Sequence, residues 1–218
     1  MQSPFLPFKE FLSLVSVGFD EALKPHSFEK TSDRRWVRST KQPIREIVEL
    51  VKINSGYVNP RWGFSLDYVP HVDVVETKWH RTNRTAMFDL TFDPVDSEDI
   101  KVWAVYNTTN CEMVKNAGKA SASRVVSKAI PLFNRAQSVA DLPPLFEERL
   151  HQRNMRFGFH NYVQHPLAYA FTLAKLQNKI AAREWLQKSF GAKFDDEIKQ
   201  KLAKLLDDTL SNSLQSKL

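Results

Sequence analysis

Along Arg61-Trp62-Gly63-Phe64-Ser65-Leu66-Asp67-Tyr68-Val69 the large apolar residues take every second position. A period of two sends alternate side chains to opposite faces of a strand. Trp62, Phe64, Leu66 and Tyr68 are therefore predicted to face a core, with Arg61, Gly63, Ser65 and Asp67 facing water. A second run, Ala86 to Phe92, repeats the pattern with Phe88, Leu90 and Phe92 inside and Met87, Asp89 and Thr91 outside. Two further strands are expected at Arg34 to Ser39 and Ile44 to Ile53. The latter has apolar residues on both parities, as a strand covered on two faces would. Asn54-Ser55-Gly56 and Asn59-Pro60 read as turns, and Pro70 interrupts or ends the strand before it. Residues 71 to 85 read as a long polar connection. Ile100 to Tyr106 could be strand or helix, and its β-branched and aromatic content favours strand.

The period changes to 3.6 elsewhere. Phe8, Phe11, Leu12, Val15, Phe19 and Leu23 make one stripe, so Pro7 to Leu23 is predicted to be an amphipathic helix that Lys24-Pro25 ends. From about Lys119, Ala122, Val125, Val126, Ala129, Ile130 and Phe133 form another stripe, with Arg124, Lys128 and Arg135 opposite. Ser138 to Arg149 restarts a short helix behind a serine cap. Three more helices follow: Pro166 to Leu176, Ile180 to Phe190 with Gly191 as C-cap, and one from Asp195 with an acidic first turn. The expected fold is α+β, a four- or five-stranded antiparallel sheet backed by helices with a C-terminal helical tail. Residues 1–155 would form the α+β domain, and residues 164–218 a helical extension packed on it.

Composition sharpens this only in places. The 218 residues are 42% hydrophobic and 26% charged, as in an ordinary globular protein. No run approaches the roughly 18 apolar residues of a membrane helix. Lys9, Glu10, Asp20 and Glu21 break up the N-terminal stretch, which does not resemble a signal peptide, so a cytoplasmic protein is expected. One cysteine, Cys111, excludes an internal disulfide and a multi-cysteine zinc site. The net charge of +6 is concentrated between Lys101 and Gln137, where Lys101, Lys115, Lys119, Arg124, Lys128 and Arg135 face one acid, Glu112.

Several segments together carry a resemblance. They are the N-terminal helix running into Lys24-Pro25-His26-Ser27-Phe28-Glu29-Lys30, the strand Arg35-Trp36-Val37-Arg38, and Glu46 to Asn54. Gly63 to Val69 and Ala129-Ile130-Pro131-Leu132-Phe133-Asn134-Arg135 followed by Ser138-Val139-Ala140-Asp141-Leu142 complete the set. Over roughly residues 7–150 the chain resembles the bacterial domain-of-unknown-function family numbered 4304, the likeness lapsing at residues 70 to 85. The resemblance implies an antiparallel sheet backed by helices. It implies no activity and supplies no catalytic residues.

Candidate chemistry is sparse. The six glycines are dispersed, and Gly118-Lys119 is followed by Ala120 where a phosphate loop needs Ser or Thr. His71, Asp73, Glu76 and His80 are the best metal candidates, but a polar connection explains them equally. Cys111, placed in a polar loop, could meet one of His26, His151, His160 and His165 only through the fold. Asp93, Asp96, Glu98 and Asp99 read as a solvated turn. No catalytic, metal or cofactor residues are therefore assigned, and no cofactor is expected. The leading expectation is a non-enzymatic binding module whose partner is another protein. The small residues Ala168, Ala170, Ala174, Ala181 and Ala182 make the C-terminal helix pair a place for a protein contact or a dimer interface. The alternative is a nucleic-acid-binding module using Arg124, Lys128 and Arg135 with Arg81 and Arg84, helped by Trp62, Trp79 or Trp103. A hydrolase assembled from residues distant in sequence is the third reading.

Overall fold

The computed structural model describes residues 5–53, 56–72, 76–94, 100–151, 164–190 and 195–215. Helix α1 (Phe8–Leu23) passes through a 3-10 turn (Lys24–His26) into strands β1 (Glu29–Ser32), β2 (Arg35–Lys41), β3 (Ile44–Ile53) and β4 (Tyr57–Leu66). Next come β5 (Pro70–Val72), β6 (Thr77–Trp79), β7 (Leu90–Phe92), the short helix α2 (Ile100–Trp103), β8 (Val105–Tyr106) and the long helix α3 (Cys111–Asn134). Helices α4 (Leu142–His151), α5 (Gln164–Lys175), α6 (Lys179–Ser189) and α7 (Asp196–Gln215) complete the order.

The main sheet has six strands, ordered β1-β2-β3-β4-β7 with β8 also on β4, and β5 and β6 form a separate antiparallel pair. The fold class is α+β, an antiparallel sheet backed by helices, with helices at the C-terminus. Among the described residues no helix is long and apolar enough to cross a membrane. The chain divides into two compact units that interleave along the sequence: residues 1–39, 46–63 and 91–135, and residues 40–45, 64–90 and 136–218.

In the first unit α1 buries Phe11, Leu12, Val15, Phe19 and Leu23 of the stripe that its spacing foretold, and Phe8, the first of that stripe, is half-buried. Phe19 stacks on Trp36 of β2 at 5.3 Å, and the Trp36 indole N–H donates to Asp20 Oδ1 at 2.7 Å. An indole is buried at low cost only when its N–H has such a partner. Helices α1 and α3 meet at a pair of glycines, Gly18 and Gly118, both buried. In the second unit Phe146 of α4 stacks on Tyr169 of α5 at 5.1 Å, and Tyr169 lies 5.1 Å from Trp185 of α6. The Tyr68 hydroxyl shares a hydrogen bond with Thr172 of α5 at 3.1 Å. Phe171 and Trp185 thus serve internal packing.

Strand β3 has the predicted bounds and is buried from Ile44 to Leu50. Trp62, Phe64, Leu66 and Tyr68 are buried as expected. Their opposite parity is not wet: Gly63 and Ser65 are buried, and Arg61 and Asp67 are half-buried. Charged or polar neighbours cover it, Arg61 pairing with Glu49, Asp67 with Arg45, and Ser65 Oγ accepting from the Met87 amide. Strand β4 also starts earlier than read, at Tyr57, and carries Asn59-Pro60 inside it. The run Ala86 to Phe92 shrinks to Leu90–Phe92, with Phe88 only half-buried and Asp89 fully buried. Ile100 to Tyr106 splits into α2 and β8, and residues 71 to 85 contain the β5–β6 hairpin. Cys111 is no loop residue but the first residue of α3, where the Asn110 side chain accepts from the Met113 amide. That cap starts the helix eight residues before Lys119, where the sequence predicts it to begin. Gly191 lies outside the described residues.

Candidate functional site

The predicted basic stripe exists. Arg124, Lys128 and Arg135 are all exposed, Arg124 and Lys128 one turn apart on α3 and Arg135 at its C-cap. They lie in the first unit, whereas Arg81 and Arg84, also exposed, belong to the second. Trp62 and Trp103 cannot stack on a ligand, because they are 6% and 2% exposed and pack on each other at 5.7 Å. Trp79 is half-buried in the second unit. Of the metal candidates, His71 and His80 do come together, their rings edge to face at 4.1 Å, through the hairpin. Asp73 lies outside the described residues, as do Asp96, Glu98 and Asp99. Among the described residues no three His, Cys, Asp or Glu side chains group as metal ligands.

The α3 surface carries more than charge. Positions 113, 117, 120, 124, 127 and 128 fall on one face at 3.6 residues per turn. Met113 is 60% exposed, Ala120, Arg124, Ser127 and Lys128 are exposed, and Ala117 is half-buried. The stripe therefore begins apolar and ends basic. At its basic end Arg124 Nη1 donates to the Val102 carbonyl of α2 at 2.5 Å, and the Val102 side chain is exposed. Before its apolar end comes β8, where exposed Tyr106 packs on Tyr57 at 5.3 Å, the two being register partners. This margin is pinned to the N-terminal segment. Asn107 bonds Leu6 twice, accepting from its amide at 3.1 Å and donating to its carbonyl at 2.9 Å, and exposed Phe5 precedes that clamp.

The second unit holds a buried polar network. Arg45 is 3% exposed and pairs with Asp67, while its Nε donates to Asn83 Oδ1 at 3.3 Å and its Nη2 to the Arg81 carbonyl. Burial pulls the Arg45 guanidinium below its ordinary value. Asp89, fully buried, accepts from the Leu66 amide at 2.6 Å through Oδ2 and lies 3.2 Å from His71 Nε2 through Oδ1. A carboxylate on an imidazole is the arrangement that orients a catalytic base. Here the ring next to His71 is His80, not a serine, threonine or cysteine.

Comparison with protein-family models, curated proteins and solved structures finds no match for this chain. Function must be argued from these residues alone.

Sequence reasoning found the cations of α3 but not the apolar residues beside them. The legible signal was Met113, an apolar residue in a polar stretch with Asn110 as a cap three residues before it. Asp89 was misplaced because period-two alternation cannot tell a buried, hydrogen-bonded acid from a wet one. Its burial has a measurable consequence. Desolvation lifts the Asp89 carboxyl above its ordinary value, against the opposing bonds from His71 and Leu66. A carboxyl raised on folding takes up protons, so its contribution is full below its unfolded value of about 4 and is lost as pH rises through the folded value. Urea midpoints of the wild type and Asp89→Asn, compared at each pH, should show the wild type losing ground as pH increases from 4. A difference that stays flat or moves the other way contradicts this account.

Proposed function

We propose that the protein is a non-enzymatic binding module that docks an acidic partner protein on the exposed face of α3. One observation carries the reading: exposed Met113 shares its face of α3 with exposed Arg124 and Lys128, and Val102 and Tyr106, on the neighbouring α2 and β8, are exposed as well. Exposed apolar groups on adjacent elements mark a contact surface, since isolated ones are ordinary but a set is not. In such a surface the apolar side chains anchor, and the cations steer an acidic partner and fix its register. The concentration of basic residues between Lys101 and Gln137 supports the charge of that partner.

The test is affinity capture by the intact chain from its native host, with Met113→Asp and the pair Arg124→Glu/Lys128→Glu as variants. Met113 is exposed, so Met113→Asp should move stability by less than about 0.5 kcal/mol, and the pair, which gives up the Arg124 bond to α2, by about 1 kcal/mol. Both variants should weaken retention of the same protein at least tenfold, about 1.4 kcal/mol. Retention unchanged by either would remove α3 as the docking face. The exposed line of Arg124, Lys128 and Arg135 favours nucleic acid as a second reading. Capture that nuclease abolishes, with affinity falling steeply in salt and indifferent to Met113→Asp, would replace the first reading with that one.

A further inference from the structure

The second unit contains a pocket of about 310 Å³. Tyr68 and Trp79 supply aromatic walls, Leu205 of α7 an apolar one, and Arg81, Lys175 and Asp208 the charged groups. Arg81 is positioned from several sides. Its guanidinium lies 4.5 Å over the Trp79 ring, its Nε donates to the Asp67 carbonyl at 3.1 Å, and its own carbonyl accepts from buried Arg45. Two guanidinium nitrogens remain for a ligand, and among the described residues they make no hydrogen bond. Lys175, exposed at the end of α5, holds its ammonium 5.9 Å from the Tyr68 ring. Among the described residues neither that ammonium nor the Asp208 carboxylate makes an ion pair or hydrogen bond.

Arg81, held over Trp79 and tied to buried Arg45, and Lys175 beside Tyr68, neither in an ion pair among the described residues, describe a receptor rather than a solvated edge. We propose that this pocket binds a small aromatic monocarboxylate, its ring against Trp79 and Tyr68 and its carboxylate between Arg81 and Lys175. The guanidinium fork is shaped to take a carboxylate through two parallel hydrogen bonds. Asp208 lowers the local charge to one net positive and repels a dianion, which selects against phosphate. The volume sits at the small end of ligand pockets and suits a ligand of about ten non-hydrogen atoms.

Calorimetric titration of the full chain tests this with benzoate, benzamide and inorganic phosphate as probes. Benzoate should bind saturably with a dissociation constant of about 1 mM, the affinity such a small ligand reaches at ordinary efficiency. Benzamide, which keeps the ring and loses the charge, should bind at least tenfold more weakly, and phosphate more weakly still. Lys175→Met should cost roughly tenfold for benzoate while leaving the melting temperature unchanged, because Lys175 is exposed. Trp79→Leu should weaken benzoate and benzamide alike. Equal affinity for benzoate and benzamide, indifference to Lys175→Met, preference for phosphate, or no saturation by benzoate would each overturn the proposal.

Discussion

Replacing Gly18 with alanine is expected to destabilise the chain by about 1–3 kcal/mol, the range for forcing extra atoms into a packed interior. A Cβ on Gly18 would lie 2.6 Å from the Lys119 nitrogen and 2.8 Å from both the Gly118 carbonyl carbon and the Lys119 Cα. One on Gly118 would lie 2.9 Å from the Val15 carbonyl oxygen. Every one of these neighbours is backbone, so no side-chain rotation relieves the clash. Helix α1 or α3 has to move as a whole, opening the contact for Val15, Phe19 and Val125 around it. The opposing effect is intrinsic: alanine in a helix interior is favoured over glycine by about 1 kcal/mol. The sign of the result therefore decides between the two. A lower urea midpoint at constant slope supports close backbone contact, and a higher one would mean that the helices separate freely.

Glu49→Gln should cost about 2–3 kcal/mol. Glu49 is 4% exposed on β3 and accepts from Arg35 Nη2 at 2.9 Å and Arg61 Nε at 2.8 Å, with Arg34 at 4.0 Å. Removing a buried carboxylate takes away a counter-charge that both arginines share, and breaking a fully enclosed ion pair costs about 3–5 kcal/mol. The Arg35 and Arg61 side chains are 23% and 28% exposed, so water screens part of the loss. Adding Arg61→Met to Glu49→Gln should cost less than the sum of the two single changes, since the second removes a cation that Glu49 had balanced. Denaturation midpoints for the two single variants and the double variant measure the coupling. Simple additivity of the two costs would show that the cluster contributes nothing as a unit.

Periodicity in the chain made α1, β3, the buried parity of β4 and the C-terminal helices legible, because each writes its own burial into its own residues. What stayed hidden depended on partners far along the sequence. Strand β1 has the residues Glu29-Lys30-Thr31-Ser32, with no apolar alternation, because only its pairing with β2 makes it a strand. Residues 71 to 85 looked like connection since the β5–β6 hairpin has three residues on each side, too few for a pattern. Arg45, Glu46, Glu49 and Asp89 were unreadable as buried groups because their ion partners or hydrogen-bond donors lie 8 positions away, as with Arg38 and Glu46, to 23, as with Leu66 and Asp89. The same holds for the candidate sites. Arg124 and Lys128 could be read from one helix, but Val102 and Tyr106 join them only through α2 and β8. The pocket of the second unit needs Tyr68, Arg81, Lys175 and Asp208 from four separate places, and nothing local announces it.

The interleaving of the two units bears on how the molecule can be dissected. Each is gathered from three disjoint stretches of polypeptide, residues 40–45 being the shortest loan of all. Truncation mapping would therefore deliver unfinished cores at either cut, and loss of activity in a fragment would report misfolding rather than a missing determinant. Assigning roles in this protein calls for point substitutions in the uncut chain.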